Sequence, residues 1–154
     1  MTSGLRSPAV VGVVLVGLCL GVAGCDDKGG ADKFVGTWTY AGAINANCIG
    51  TPVDPIDLTG ETVTITSTDS THVSVALGTL CTVNFSVDGS TATAAPNQTC
   101  SFNIPGIGPA TVTITKWTLT ASGETVMSDF ASTVLICTPS GTGTLTRLPD
   151  GGTT

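Results

Sequence analysis

From residue 34 onward, apolar and polar residues alternate with a period of two, and no helical period interrupts them. The clearest stretch is 61–66, where Val63 and Ile65 stand between threonines. Alternation of this kind predicts strands that have one apolar face and one polar face. Eight strands are predicted, at 36–43, 61–66, 72–77, 81–87, 91–95, 110–120, 125–136 and 143–148.

Turn signals separate these predicted strands. The strongest is Asp88-Gly89, a dipeptide that favours a two-residue hairpin turn. Pro96 ends the following strand, because proline has no N–H to give to a ladder. Residues 44–60, which are rich in Pro and Asp, are predicted to form a loop.

Because nearly all the predicted strands follow one another as antiparallel neighbours, the sequence predicts an all-β, up-and-down barrel of about eight strands. Closure removes the exposed edges that an open sheet would offer for aggregation. A β-sandwich is the alternative. Within 110–120 the apolar phase slips by one residue near Lys116, which predicts a β-bulge. The predicted inward residues are Val63, Ile65, Val73, Val75, Leu77, Val83, Phe85, Val87, Val112, Ile114, Val134, Ile136 and Leu145.

The N-terminal segment carries the features of a secretory signal. Arg6 precedes an uncharged apolar run at 9–23, which small residues follow. That run is too short to span a bilayer, since a spanning helix needs about 20 residues. The tetrapeptide at 22–25, Val-Ala-Gly-Cys, resembles the lipobox of bacterial lipoproteins, in which signal peptidase II cleaves before a cysteine that carries diacylglycerol.

This resemblance implies an address in the cell envelope, with the membrane contacted through lipid on Cys25. The outer membrane is the preferred location. The inner membrane is the alternative, because Asp26 stands where some bacteria have an inner-membrane retention signal. The implied segments are a removed signal peptide at 1–24, a lipidated flexible tether at 25–33, a single β-barrel domain at 34–150 and a disordered tail at 151–154.

Charge excludes some partners. Five basic residues oppose eleven acidic ones, which gives a formal net charge of −6, and no cluster of Lys or Arg exists. The sequence therefore argues against nucleic acid and against electrostatic docking on anionic lipid. Charged residues make up only 10% of the chain, so the predicted surface is neutral and rich in hydroxyl groups.

Six cysteines divide into three groups once the leader is recognised. Cys19 is lost with the leader, and Cys25 is the lipidated residue. An even number remains in an oxidising compartment, which predicts two disulfides. Zinc is disfavoured, because the remaining cysteines are far apart in sequence and the chain has one histidine. The four cysteines of the domain are Cys48, Cys81, Cys100 and Cys137.

Four cysteines allow three pairings. In an up-and-down barrel, alternate connections emerge at the same end, which places all four cysteines at one end. Closure makes the first and last strands neighbours and so brings Cys48 near Cys137. Cys81 and Cys100 flank the Asp88-Gly89 hairpin. The topology therefore favours Cys48–Cys137 and Cys81–Cys100.

Two short motifs resemble the lipocalins. Residues 34–38, Phe-Val-Gly-Thr-Trp, resemble the Gly-x-Trp signature of the first lipocalin strand, and Arg147 resembles the arginine of the last strand. The resemblance implies that Trp38 and Arg147 pack together at a closed end of the barrel, with Gly36 as part of the signature. Since the tether enters at this end, the end with four cysteines is expected to face away from the membrane.

Little in the sequence points to catalysis or to metal. His72 is the only histidine, and no nucleophile motif surrounds any serine, so a solvated strand-end histidine is expected and no catalytic residue is assigned. Asp54, Asp57 and Glu61 lack the spacing of an EF-hand and are expected to form a solvated acidic loop. No metal and no cofactor are predicted.

The sequence thus predicts a non-catalytic envelope lipoprotein with a binding or scaffolding role. The expected partner is a small apolar ligand, held at the disulfide-bearing end, or an envelope protein. The first alternative is a barrel without a pocket that has a structural or protein-interaction role. The second alternative is a hydrolytic enzyme that uses His72.

Overall fold

The computed structural model describes residues 30–77, 81–104 and 108–149. The predicted signal peptide, the lipobox with Cys25 and the tail at 151–154 lie outside these residues. Within them the chain forms a short 3-10 helix, η1 (Gly30–Lys33), and ten strands. The strands are β1 (Gly36–Cys48), β2 (Thr51–Asp57), β3 (Thr62–Asp69), β4 (His72–Leu77), β5 (Cys81–Asp88), β6 (Thr91–Ala94), β7 (Thr99–Ile104), β8 (Gly108–Ser122), β9 (Thr125–Val134) and β10 (Cys137–Arg147).

The strands close into an antiparallel barrel. The hydrogen-bonded order runs β10-β9-β8-β6-β5-β4-β3-β1, and β10 pairs with β1 to complete the circle. This closing ladder is continuous from Trp38 opposite Arg147 to Cys48 opposite Cys137. The predicted all-β barrel of eight strands is therefore confirmed, and the sandwich alternative does not apply.

Two of the eight barrel positions are occupied by interrupted strands. β2 and β3 both pair with β1, and β6 and β7 both pair with β8. The prediction of a loop at 44–60 was therefore wrong. β1 continues to Cys48, and a two-residue turn at Ile49-Gly50 returns the chain as β2. Pro and Asp are tolerated in β2 because, among the described strands, it pairs only with β1 and forms an edge.

The predicted bulge near Lys116 is confirmed, since the β8–β9 register shifts between Ile114 and Lys116. The end of the next strand was predicted incorrectly. β9 stops at Val134, and Leu135 and Ile136 form a turn instead of continuing the strand. Ile136 is consequently exposed, although the alternation pattern assigned it to the interior.

The hydrophobic core lies inside the barrel and includes residues of η1 at one end. Trp38, Phe34 and Phe85 are among its largest fully buried side chains. Ala31, which lies within the segment predicted to be a flexible tether, is also fully buried. Its N–H donates to the Ser70 carbonyl, so residues 30–33 are part of the domain and cap this end of the barrel. A chain that begins at Gly30 contains all the described strands and all the buried residues of the described core.

Where β6 and β7 separate, the side chain of Gln98 supplies hydrogen bonds to β5 that a strand would otherwise supply. Its side-chain Oε1 accepts the Asn84 N–H at 2.8 Å, and its Nε2 donates to the Asn84 carbonyl at 2.8 Å. Nε2 also donates to the Ala95 carbonyl at 3.1 Å. The Gln98 backbone carbonyl accepts the Ile114 N–H at 2.8 Å. One side-chain amide thus replaces a peptide group between β5 and β8.

We expect Gln98→Leu to lower the free energy of unfolding by about 1–3 kcal/mol, because it leaves the Asn84 N–H without its partner. The Asn84 carbonyl keeps the Ala95 N–H as a donor. Gln98→Glu keeps an acceptor but loses the Nε2 donor, so it should also destabilise. Thr99→Val, at an exposed neighbour, should stay within about 0.5 kcal/mol of the wild type. Urea unfolding of the three variants measures these effects. An unchanged free energy of unfolding for Gln98→Leu would show that water replaces the hydrogen bonds of the Gln98 side chain equally well.

Candidate functional site

The two ends of the barrel differ in chemistry, and one end is closed by Trp38 and Arg147. The Arg147 guanidinium carbon lies 4.3 Å from the centre of the Trp38 ring. The Trp38 indole N–H donates to the Phe34 carbonyl at 2.8 Å. The same guanidinium donates to the carbonyls of Val35 and Lys33. The structure thus brings together the residues that the sequence singled out as a signature.

Gly36 has a steric role at this closed end. Its φ is +142°, and a Cβ built at this position would lie 2.5 Å from an Arg147 guanidinium nitrogen. Any larger residue would therefore displace the arginine from the indole. Trp38 and Phe34 are fully buried here, and the half-buried Arg147 is held by backbone carbonyls, so these residues have a structural role at this end.

The opposite end carries both disulfides. Cys48 bonds to Cys137 across directly paired positions of β1 and β10, with a Cα–Cα distance of 4.0 Å. Cys81 bonds to Cys100 and ties β5 to β7, with a Cα–Cα distance of 5.4 Å. Both predicted pairings are confirmed. The disulfide between Cys48 and Cys137 also holds two hairpin turns side by side, at 49–50 and 135–136.

Exposed large apolar side chains concentrate at this disulfide-bearing end. In the described part of the chain seven such side chains are exposed, and five of them lie in the two turns or on β2. The other two, Met127 and Leu148, lie elsewhere on the barrel. The five are Ile49 (77% exposed), Val53 (46%), Ile56 (58%), Leu135 (71%) and Ile136 (62%).

Two of these residues adopt a strained backbone conformation. Ile49 has φ +48° and Leu135 has φ +51°, in the left-handed region that side chains with a Cβ rarely enter. The conformation costs about 1–2 kcal/mol per residue. The Ile49 N–H donates to the Ile136 carbonyl at 3.2 Å, which couples the two turns. Strain of this kind often marks a functional site.

The sequence patterns missed this arrangement. Ile49 precedes a glycine, which is a weak turn signal, but Leu135-Ile136 contains none of the residues that turns favour. Both positions were therefore read as loop or strand. Only the direct pairing of Val134 with Cys137 reveals the second turn.

Inside the open end, the barrel mouth is partly apolar. Val53 pairs with Ala46 and Ile56 with Ile44, so the β2 side chains share the face on which β1 lines the interior. Ser132, on the inner face of β9, is 2% exposed, and its hydroxyl has no hydrogen-bond partner among the described residues. Buried hydroxyl groups without a partner are rare in folded proteins.

Deeper in the barrel, aromatic residues fill the interior. The Trp117 ring meets Phe85 and Phe130 edge to face, with ring centres 5.3 and 5.4 Å apart. Its N–H donates to the Ser128 hydroxyl at 3.0 Å. Burial raises the pKa of Tyr40, and a hydrogen bond with Ser128 opposes this shift. These aromatic side chains therefore occupy the barrel interior at the level of Trp117.

His72 lies in a hydrogen-bonded turn on the barrel surface. Its Nδ1 is 2.9 Å from the Asp69 carboxylate, and more than half of each side chain is exposed. The Thr71 N–H and the His72 ring hold the pKa of Asp69 at about 2. Ser86 lies opposite His72 in the ladder, but its hydroxyl is directed to the Thr93 carbonyl. Asp69, Thr71 and His72 therefore form a hydrogen-bonded turn on the exposed surface of the barrel.

The acidic residues of the first hairpin are also exposed. Asp57 accepts the Thr59 N–H at 2.9 Å, and hydrogen bonds with Thr59 lower the pKa of Asp57. Asp54 and Glu61 are exposed. Among the described residues, no three His, Cys, Asp or Glu side chains come together as they would around a metal ion.

Comparison of the chain with models of protein families, with curated proteins and with solved structures finds no match. Within the described residues, no helix has both the length and the apolar character needed to cross a membrane.

We expect Ile49→Asn and Leu135→Asn each to raise the free energy of unfolding by up to about 1 kcal/mol. Asparagine tolerates the left-handed conformation, and the apolar side chains that are removed are mostly in solvent. Thermal or urea unfolding measures the change. Thr120→Asn, at an exposed strand position, is the control and should not stabilise. Destabilisation by both turn variants would show that Ile49 and Leu135 make contacts that support the fold.

Proposed function

We propose that this protein is a non-catalytic lipoprotein of the bacterial cell envelope that binds its partner at the disulfide-bearing end of the barrel. The observation that carries the proposal is the concentration of exposed apolar side chains in the turns at 49–50 and 135–136 and on β2. The closed end, which is filled and satisfied by its own residues, provides no comparable surface. The His72 turn is exposed, the Thr71 hydroxyl beside the ring donates to Asp69, and the Ser86 hydroxyl is directed to the Thr93 carbonyl, so this geometry does not favour hydrolysis.

The proposed anchor is Cys25, within the lipobox-like tetrapeptide at 22–25. Gly30 begins η1 at the closed end, so a tether from Cys25 joins the barrel there. An acyl group on Cys25 would then hold the closed end nearest the membrane. The disulfide-bearing end would point away from it, with the outer membrane as the preferred site.

Substitution of the proposed anchor tests this part of the proposal. We expect the protein expressed in a Gram-negative host to fractionate with membranes and to incorporate labelled palmitate. Cys25→Ser should abolish both, because no thiol remains at position 25 to accept the diacylglycerol. Cys19→Ser, also in the leader, is the matched control and should behave as wild type. Equal palmitate incorporation by Cys25→Ser and wild type would exclude lipidation at this residue.

A second candidate function is the binding of a small apolar ligand in the mouth, as in a lipocalin-like barrel. The barrel and the contact between Trp38 and Arg147 support this resemblance. The specific observation in its favour is the mouth itself, with inward Val53 and Ile56 and with Ser132, whose hydroxyl has no partner among the residues that the structure describes. A ligand with an apolar body and one hydrogen-bonding group would suit these residues.

Native mass spectrometry of the oxidised chain from Gly30, after incubation with a lipid extract of the cell envelope, tests the second candidate. A bound apolar molecule is expected on the wild type. The double variant Val53→Ser and Ile56→Ser should lose it, because the lining becomes polar, whereas Met127→Thr on the outer wall should retain it. A wild-type spectrum that contains only the bare polypeptide would favour the barrel without a pocket.

A further inference from the structure

We propose that Ile49, Leu135 and Ile136, which we name the apolar tip, insert into the surface of a lipid bilayer. The inference rests on the proposed function, because it names the partner of the disulfide-bearing end. It differs from the small-ligand candidate in the residues that it uses. The tip residues lie at the turns, whereas Val53 and Ile56 line the mouth.

The tip is preformed for insertion. Its three side chains are 77%, 71% and 62% exposed and stand at the apices of two hairpins. The Cys48–Cys137 bond joins the strands directly beneath, and the Ile49 N–H donates to the Ile136 carbonyl at 3.2 Å. Because these links already order the turns, little conformational entropy is lost when the side chains enter a lipid phase.

The small area of the tip favours lipid over a protein partner. A specific protein interface buries about 800 Å² per partner. Three aliphatic side chains supply roughly 200–350 Å² of apolar surface. Because somewhat more than half of such an interface is apolar, each partner buries roughly 450 Å² of apolar surface, which is more than the tip supplies. Insertion into lipid needs no complementary surface, since each side chain gains by leaving water.

The charge pattern favours a neutral bilayer surface. Residues 34–53 and 130–146, which include both turns, contain no charged side chain. The charges nearest to the tip in its own hairpins are carboxylates, at Asp54 and Asp57 on β2 and at Asp129 on β9. Entry into lipid therefore desolvates no charge, and the overall net charge of −6 disfavours anionic headgroups. Zwitterionic phospholipid is the expected partner. Because the tip lies at the barrel end opposite Gly30, the bilayer that it enters is a second one and not the bilayer that holds Cys25.

Vesicle co-sedimentation of the chain from Gly30 tests the proposal without the acyl group. We expect binding to vesicles of phosphatidylcholine, with little dependence on salt and no gain when phosphatidylglycerol is added. The triple variant Ile49→Asn, Leu135→Asn and Ile136→Asn should lower the partition coefficient by about 100-fold, because three apolar side chains are lost. Met127→Thr, which removes an equally exposed apolar side chain from the wall, should bind as wild type.

Several outcomes would overturn the proposal. These are absence of wild-type binding to either vesicle, equal binding of the triple variant, and binding that requires anionic lipid and disappears in salt. A wild-type dimer that the triple variant converts to monomer, seen by analytical ultracentrifugation, would assign the tip to a second copy of the chain. A loss of vesicle binding caused by unfolding can be distinguished from a loss of lipid contacts, because two of the three substitutions are expected to stabilise the domain.

Failure here is distinguishable from failure of the proposed function. In one outcome, the triple variant binds vesicles as the wild type does, while the double variant Val53→Ser and Ile56→Ser loses a ligand seen by native mass spectrometry. This outcome would support binding at the disulfide-bearing end and would contradict insertion of the tip into lipid. If neither set of substitutions changes any binding, both proposals fall.

Discussion

The pairing of β1 with β10 is the constraint on which the rest of the structure depends. It converts a sheet with two open edges into a closed barrel, and it fixes the register at both of its ends. At one end Arg147 packs over Trp38, and at the other Cys48 is bonded to Cys137. A slip by one residue would turn every side chain of the seam to the wrong face. Glycine allows close packing along this seam, since a Cβ on Gly143 would lie 2.2 Å from the Tyr40 ring.

The same seam explains why strain is tolerated at one end only. In the chain-entropy description, a disulfide across 89 residues stabilises the fold by about 4.5 kcal/mol. Two left-handed residues cost about 2–4 kcal/mol together. Ile49 and Leu135 directly follow Cys48 and Val134, the latter paired with Cys137, so the cross-link restrains the chain where the cost arises. The closed end needs no such support, because η1, Phe34 and Trp38 are buried there.

Local alternation and strand order were sufficient to predict the barrel, the bulge near Lys116 and both disulfides, because each depends on periodicity or on parity along the chain. The errors have a different physical origin. β2 contains Pro52 and Pro55, which local propensity assigns to a loop, but pairing with β1 at an edge overrides that propensity. Gln98 acts through a side-chain amide that imitates a peptide group, and no sequence period records such a role. Leu135-Ile136 forms a turn that its own residue types disfavour.

That last disagreement bears on function. Stability alone would place Gly or Asn at positions with positive φ, and an exposed leucine or isoleucine there gains little from the fold. The described outer surfaces of β3 and β10 carry mainly Thr, so the apolar tip is also an exception to the surface chemistry of the domain. Neither packing nor backbone preference within the barrel accounts for these side chains. The positive φ of Ile49 follows from the two-residue hairpin turn that it forms with Gly50. The exposure of the apolar side chains supports the proposal that this end of the barrel contacts a partner.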